Sequence, residues 1–181
     1  MSDRLATKVI FIAGRSGVGK STVAFEASHQ LATSHVRHAL IEGDNLDQAY
    51  PAPWRQGISL ADRNLAAMWH NYQELGYSNL IYTNTVSVLE MATLSAALGG
   101  EVTAVGILLT SSDEATRERL AAREIGSGLA EHVRRSYIAA RRLEQQAPVQ
   151  VHRVSTDQRS IQSIASEIIA LAGWGAQTGT Q

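Results

Sequence analysis

Gly14-Arg15-Ser16-Gly17-Val18-Gly19-Lys20-Ser21 follows the spacing G-x-x-x-x-G-K-[ST] between an apolar run and a helical run. That pattern suits a polyphosphate. Glycines let successive backbone N–H groups turn inward, and the following helix adds the positive end of its dipole. Lys20 is placed to reach the outer phosphates of a nucleoside triphosphate and to act in transfer, while the Ser21 hydroxyl is placed to ligate Mg²⁺. The whole run from Gly14 to Thr22 is therefore assigned to nucleotide contact. Lys20 and Lys8 are the only lysines among 16 Lys and Arg, so a lysine at this point of the loop is not the chain's default base. The bland alternative is a Gly-rich turn with one lysine.

Asp44, in Glu42-Gly43-Asp44-Asn45, is the second candidate. Moving phosphate to a hydroxyl needs an oxygen that takes or orients the acceptor's proton, with Mg²⁺ and positive groups spreading the developing charge. Asp44 could be that base or hold a Mg²⁺-bound water; its bland reading is a turn residue capping Asn45 and Leu46, and Glu42 competes for the role. Asn84, in Thr83-Asn84-Thr85, stands where many proteins with this loop carry a Mg²⁺-linked aspartate. It either hydrogen-bonds the acceptor or caps the next helix. Trp54 and Arg55, in a stiff Pro-rich loop beside Asp44, wall an acceptor pocket or simply pack.

Arg117, Arg119, Arg123, Arg134, Arg135, Arg141 and Arg142 crowd one stretch against only Glu118, Glu124 and Glu131. A helical flap that brings guanidinium groups onto phosphate would need such a stretch, because the arginine fork matches phosphate oxygens. Gly126-Ser127-Gly128 would be its hinge. Arg123 and one of Arg134 or Arg135 are expected to act, with Arg135 assigned to the site and Arg141 and Arg142 to the surface. The competing reading is a solvated face paired with its own glutamates.

The elements that position these groups alternate. Strands are expected at Lys8 to Ala13, Arg37 to Ile41, Asn79 to Thr83, Val102 to Leu109 and Val149 to Val154. Helices are expected from Lys20 to Ala32, from a Ser59/Asp62 capping box to Gly76, from Val86 to Leu98, from a Ser111/Glu114 capping box to about Arg123, over Leu129 to Gln145, and along the stripe Ile161, Ile164, Ile168 and Leu171. Met68, Trp69 and Tyr72 read as core. Alternation of this kind means an α/β fold: a five-stranded parallel sheet with helices on both faces, a three-layer sandwich in which ligands bind beyond the C-terminal strand ends. One domain is expected over 1–181, with a short helical lid at about 124–145 and a flexible tail at 174–181.

A formal net charge of −1 offers no field for nucleic acid or an anionic membrane. No apolar run approaches the ~20 residues of a membrane span, and Met1-Ser2-Asp3-Arg4 does not open like a secretory signal, so a cytoplasmic protein is expected. With no cysteine, disulfides, thiolate metal sites and a cysteine nucleophile are excluded. Composition leaves the oligomeric state open.

The loop Gly14 to Ser21, the Glu42-Gly43-Asp44-Asn45 segment and Gly57-Ile58-Ser59-Leu60-Ala61-Asp62-Arg63 together resemble the small P-loop kinases, a group that includes adenylylsulfate kinase, gluconate kinase and chloramphenicol phosphotransferase. The resemblance implies the P-loop NTPase fold, ATP and Mg²⁺, an aspartate matching Asp44 that acts on the acceptor hydroxyl or its metal, and an arginine matching Arg63 that faces the acceptor. Arg119 and Arg123 resemble the pair that stacks over adenine and reaches phosphate, and Val154-Ser155-Thr156-Asp157 resembles the adenine-side loop. The flap is short and no carboxylate follows the third strand, so the acceptor is not named by the resemblance. Three readings follow: an ATP-dependent phosphotransferase acting on a hydroxyl of a small molecule; a nucleotide switch or slow ATPase read by a protein partner; and a nucleoside monophosphate kinase.

Overall fold

The computed structural model describes residues 6–123 and 128–175, with Arg123 described by its backbone alone. The hinge residues Gly126 and Ser127, the first part of the expected lid, the Arg123 guanidinium and the tail beyond 175 therefore lie outside the described residues.

Five strands and six α-helices are described in the order β1 (Thr7–Ala13), α1 (Lys20–Thr33), β2 (Ala39–Glu42), α2 (Leu60–Glu74), β3 (Asn79–Thr83), α3 (Met91–Leu98), β4 (Val102–Thr110), α4 (Asp113–Arg123), α5 (Leu129–Gln146), β5 (His152–Ser155) and α6 (Ile161–Leu171), with short 3₁₀ turns between some of them. The five strands form one sheet in the order β2-β3-β1-β4-β5, every pairing parallel. β1 is central. Its period-two alternation sends Ile10 and Ile12 to a core shared with Val23, Ala27 and Leu31 of α1 and Ile164 and Ile168 of α6. Val9 and Phe11 point the other way, to Leu65 and Trp69 of α2 and Leu94 and Leu98 of α3. Ala13, at the end of β1, joins Leu108 and Leu143, which seats α5 against the same second face. Helices on both faces oblige β1 to be apolar throughout, as it is from Val9 to Ala13. The fold is thus the expected three-layer α/β sandwich, and its strand order puts the C-terminal ends of β1, β3 and β4 side by side under the loop that follows β1.

Several local readings need correction. Ser59 precedes α2, but its side chain makes no cap; instead the Leu60 N–H donates to Ile58 O within the preceding turn. Before α4 the cap is Ser112, whose Oγ accepts from the Ala115 N–H at 3.2 Å, while Ser111 pairs with Thr116 Oγ1 at 2.6 Å. The segment expected as one helix from Val86 begins as a 3₁₀ turn, Ser87–Leu89, because Asn84 Oδ1 takes the Val86 N–H in a side-chain-closed turn. β5 starts three residues later than expected, since Val151 N–H closes a turn on Pro148 O and leaves Val149 outside at 96% exposure. Trp69 is fully buried with its indole N–H on Thr7 Oγ1 at 3.0 Å, but Met68 faces solvent at 38% exposure. The apolar stripe of α2 is narrower than three adjacent apolar residues suggest.

Gly43 is held by space. A Cβ there would run into the Tyr82 hydroxyl, 2.5 Å from Tyr82 Cζ and 2.9 Å from Thr83 O. Gly43→Ala is therefore expected to destabilise the protein by roughly 1–3 kcal/mol through overpacking, read as a lower denaturant midpoint at unchanged slope; an unshifted midpoint would contradict the close approach of this turn to Tyr82.

Candidate active site

The loop between β1 and α1 turns through Gly14, Gly17 and Gly19, all at positive φ. Gly14 needs glycine twice over: its φ is +148°, and a Cβ would sit 2.8 Å from both Leu109 O and Val18 Cγ1. At Gly19 the reason is conformation alone, since φ is +105° and a Cβ would meet nothing within 4 Å. The loop is therefore packed at its base and open towards its mouth.

A loop that turns N–H groups inward sends carbonyls outward, and each needs a donor. Lys20 Nζ donates to Gly14 O at 3.0 Å and Arg15 O at 3.4 Å. Ser136 Oγ, from α5, donates to Ser16 O at 2.8 Å, and Arg119 Nη1, from α4, donates to Val18 O at 3.2 Å. Gly19 O accepts the Val23 N–H at 3.0 Å and starts α1. Ser21 and Thr22 occupy its first turn, Ser21 half-buried and Thr22 exposed.

On the β4–β5 side, Arg119 also donates to Thr156 Oγ1 at 3.0 Å and Thr156 O at 3.3 Å, so one guanidinium joins the loop to the segment after β5. Asp157 Oδ2 accepts the Ser112 N–H at 2.7 Å, and its Oδ1 is buried without a partner among the described residues. Arg119, Thr156, Asp157 and the phosphate loop are thus brought together. The Arg15 side chain behaves differently. Only 4% exposed, it pairs with Asp113 Oδ1 and donates from Nε to Ser136 Oγ at 2.9 Å, so its backbone is what it offers the loop's interior.

On the β2–β3 side, Asp44 is exposed within a 3₁₀ turn, Gly43–Asn45, directly after β2. Glu42, the last residue of β2, keeps Oε1 buried and unpartnered among the described residues. Asn64 of α2 donates to Leu46 O at 2.5 Å, tying α2 to the turn that carries Asp44. Asp62 and Arg63 lie on the first turn of α2, Arg63 exposed. Trp54 and Arg55 stand out from the intervening loop, the guanidinium 5.0 Å from the indole centroid. At 59% exposure Trp54 is not a packed core residue. Asn84 is half-buried and spends Oδ1 on the Val86 N–H at 3.0 Å.

Beneath this side lies Tyr82, 1% exposed. Burial pushes its hydroxyl from 10.0 up to about 12, partly offset by a hydrogen bond with Asn84 and reinforced by the charges of Glu90, Asp44 and Asp62. Glu90 is raised as well, first by burial and then by Asp62, with Arg142 opposing. Burial is the main cause of both shifts, and the charge of Asp62 adds to each.

α5 supplies the opposing charge. Arg135 shares a cleft of about 500 Å³ with Ser16, Gly17, Lys20, Thr85, Leu120, His132, Ser136 and Ala139. Arg134 instead forks onto Glu131 at 2.8 and 2.9 Å, and that bond holds the exposed Glu131 carboxyl below its usual range. Arg141 stacks 4.7 Å from the Tyr137 ring centroid, and Arg142 donates to Gln146; both are exposed. Sequence reasoning placed Asp113 only within the strand-end segment Thr110 to Asp113, without a role, and did not single out Ser136. Ser136 carried a readable signal: it interrupts the inward stripe of Val133, Ala140 and Leu143, where an apolar residue would otherwise stand.

Comparison with known proteins agrees with the fold. The adenylylsulphate kinase family model matches residues 6–67, the stretch from β1 into α2. No curated protein sequence matches the chain. A gluconokinase from Sinorhizobium meliloti is similar over 94% of this chain and 93% of its own, at 19% identity and a TM-score of 0.59. The tunicamycin resistance protein of Deinococcus radiodurans is similar over 92% and 96%, at 19% identity and 0.61. The Mycobacterium tuberculosis APS kinase, solved with AMPPNP and APS, is similar over 93% and 98%, at 22% identity and 0.56. The chain resembles the small P-loop kinases and shares their fold.

Tyr82 yields a test of this picture. Its folded pKa lies above its unfolded one, so the folded state holds the proton more tightly, and stability present below pH 10 should fall as pH rises towards about 12. Far-ultraviolet circular dichroism of denaturant midpoints over that range should show the decline, and Tyr82→Phe should flatten it. An equally steep decline in the variant would contradict the buried phenol.

Proposed function

We propose that this chain is an ATP-dependent phosphotransferase that moves the γ-phosphate to a hydroxyl of a small molecule in the cytoplasm. The observation that carries the reading is the placement of Lys20 and Arg135 on one cleft at the mouth of the phosphate loop, with the carboxylate of Asp44 at the end of β2. Among the described residues no helix is long and apolar enough to cross a membrane.

The nucleotide side is Gly14 to Thr22 with Arg119, Thr156 and Asp157. In transfer, the acceptor oxygen bonds to the γ-phosphorus as the bond to the β–γ bridging oxygen breaks, and ADP leaves with that electron pair. The acceptor proton passes to Asp44 or, through it, to water. Lys20 and Arg135 offset charge on the transferring group, and the two must gain strength as that charge spreads. Arg123 belongs to the same set by its position at the end of α4. Trp54, Arg55, Arg63 and Asn84 are the proposed acceptor contacts.

Mg²⁺ keeps several waters and takes one or two protein oxygens plus phosphate oxygens. Ser21, Asp44 and the unpartnered buried oxygen of Glu42 are hard donors of that kind. Bound there, the ion would supply positive charge to offset that of the phosphates.

Mg·ATP at a hundred times its dissociation constant should stabilise the parent by about 2.7 kcal/mol. Lys20→Ala should lose most of that while the unliganded protein stays folded, its melting temperature lowered only by the loss of the Lys20 hydrogen bonds to Gly14 O and Arg15 O; equal ligand shifts in both would remove the phosphate-loop assignment. Asp44→Asn should bind ATP yet transfer roughly 10²–10⁴-fold more slowly. If Glu42→Gln is crippled and Asp44→Asn transfers normally, the base is Glu42. Arg135→Ala should lower kcat more than it raises KM for ATP, with Arg141→Ala close to parent; identical behaviour of the two would reduce the α5 arginines to a solvated face.

A further inference from the structure

Arg15 and Ser136 form a buried polar pair with a directional consequence. A guanidinium can only donate, so Ser136 Oγ must act as the acceptor for Arg15 Nε at 2.9 Å. The hydroxyl's single proton is thereby left for Ser16 O, 2.8 Å away. Both side chains are almost wholly buried, Arg15 at 4% and Ser136 at 2% exposure, and Asp113 fixes the far end of the guanidinium. The chain of donation runs one way, from arginine to α5 serine to loop carbonyl.

A peptide group is planar and trans, so its carbonyl and the following N–H point in opposite directions. Holding Ser16 O against α5 turns the Gly17 N–H the opposite way, off α5, which on the phosphate-loop reading is the interior of the loop. Gly17 is at φ +84° with no intrinsic preference for that orientation. Without an outside donor the 16–17 peptide could flip at low cost.

We infer that Ser136, oriented by Arg15, is a positioning residue that aims the Gly17 amide at the phosphates, so that seating of α5 on the loop is a condition for tight triphosphate binding. This rests on the phosphate-loop reading above and adds to it a role for a residue outside the loop motif. It also gives Arg15 a task that does not require its side chain to meet the nucleotide.

The test measures Mg·ATP dissociation constants by calorimetry for the parent, Ser136→Ala and Ser136→Cys, together with the Gly17 amide resonance in ¹H–¹⁵N spectra. Cysteine nearly preserves volume and burial but is a weak donor. Both variants should keep the parent's unliganded melting temperature within a few degrees and bind Mg·ATP about tenfold more weakly, the loss of one oriented, charge-assisted contact. In the parent, ATP should move the Gly17 amide strongly; in both variants that movement should shrink. Parent-like ATP affinity in Ser136→Ala would overturn the inference, and so would loss of the unliganded fold in both variants, which makes the hydroxyl structural only. If Lys20→Ala loses ATP while both Ser136 variants keep it, the phosphate loop stands and the positioning role falls. If the parent binds no ATP, both fall.

Discussion

The constraint on which this structure depends is the satisfaction of outward carbonyls around a loop whose N–H groups must face inward. A strand cannot hand over to a helix through such a turn on glycine alone, because unpaired carbonyls in a half-buried setting cost about as much as lost hydrogen bonds. Here the donors come from four places: Lys20 within the motif, Ser136 on α5, Arg119 on α4 and the first turn of α1 itself. α5 and α1 are in turn anchored in the apolar clusters, Leu143 for α5 and Val23 and Leu31 for α1. Packing of the sandwich and shaping of the phosphate site are therefore one problem.

The same arrangement divides the charge. Acidic groups gather at the C-terminal ends of β2 and β3, enough to reinforce the upward shifts of Tyr82 and Glu90 that burial begins. Basic groups arrive from α4 and α5, but several are already engaged: Arg119 on Thr156, Arg134 on Glu131, and, from the loop itself, Arg15 on Asp113. Arg135 is the arginine of α5 that shares the cleft of Lys20, with a carboxylate oxygen of Glu131 3.7 Å away. An exposed pair at that distance is weak, so Arg135 can exchange Glu131 for a phosphate oxygen at small cost.

What could be read from sequence was whatever local chemistry dictates. The loop motif, the order of strands and helices and the apolar faces of β1, α1 and α6 follow from residue type and period, and they agree with the fold. Boundaries failed where a side chain or a tight turn outcompeted the backbone pattern: Asn84 closing a turn before α3, Ser112 rather than Ser111 capping α4, and Pro148 delaying β5. The Arg15–Ser136–Asp113 network was invisible because Arg15 lies about a hundred residues from both its partners and meets them only when α4 and α5 fold onto the loop. Met68 misled for a related reason, since its apolar character does not say which side of α2 it takes.

The central claim is that phosphate goes to an acceptor held beside the loop and not to water. It is tested most directly by incubating the protein with Mg²⁺ and ATP carrying ¹⁸O in the γ-phosphoryl group, in the presence of a panel of small hydroxyl compounds, and weighing the products. The account predicts a phosphorylated acceptor that retains the labelled oxygens, with little labelled inorganic phosphate. Label found only in inorganic phosphate across sugars, sugar acids, amino alcohols and nucleosides would contradict it and leave a nucleotide hydrolase in place of a kinase.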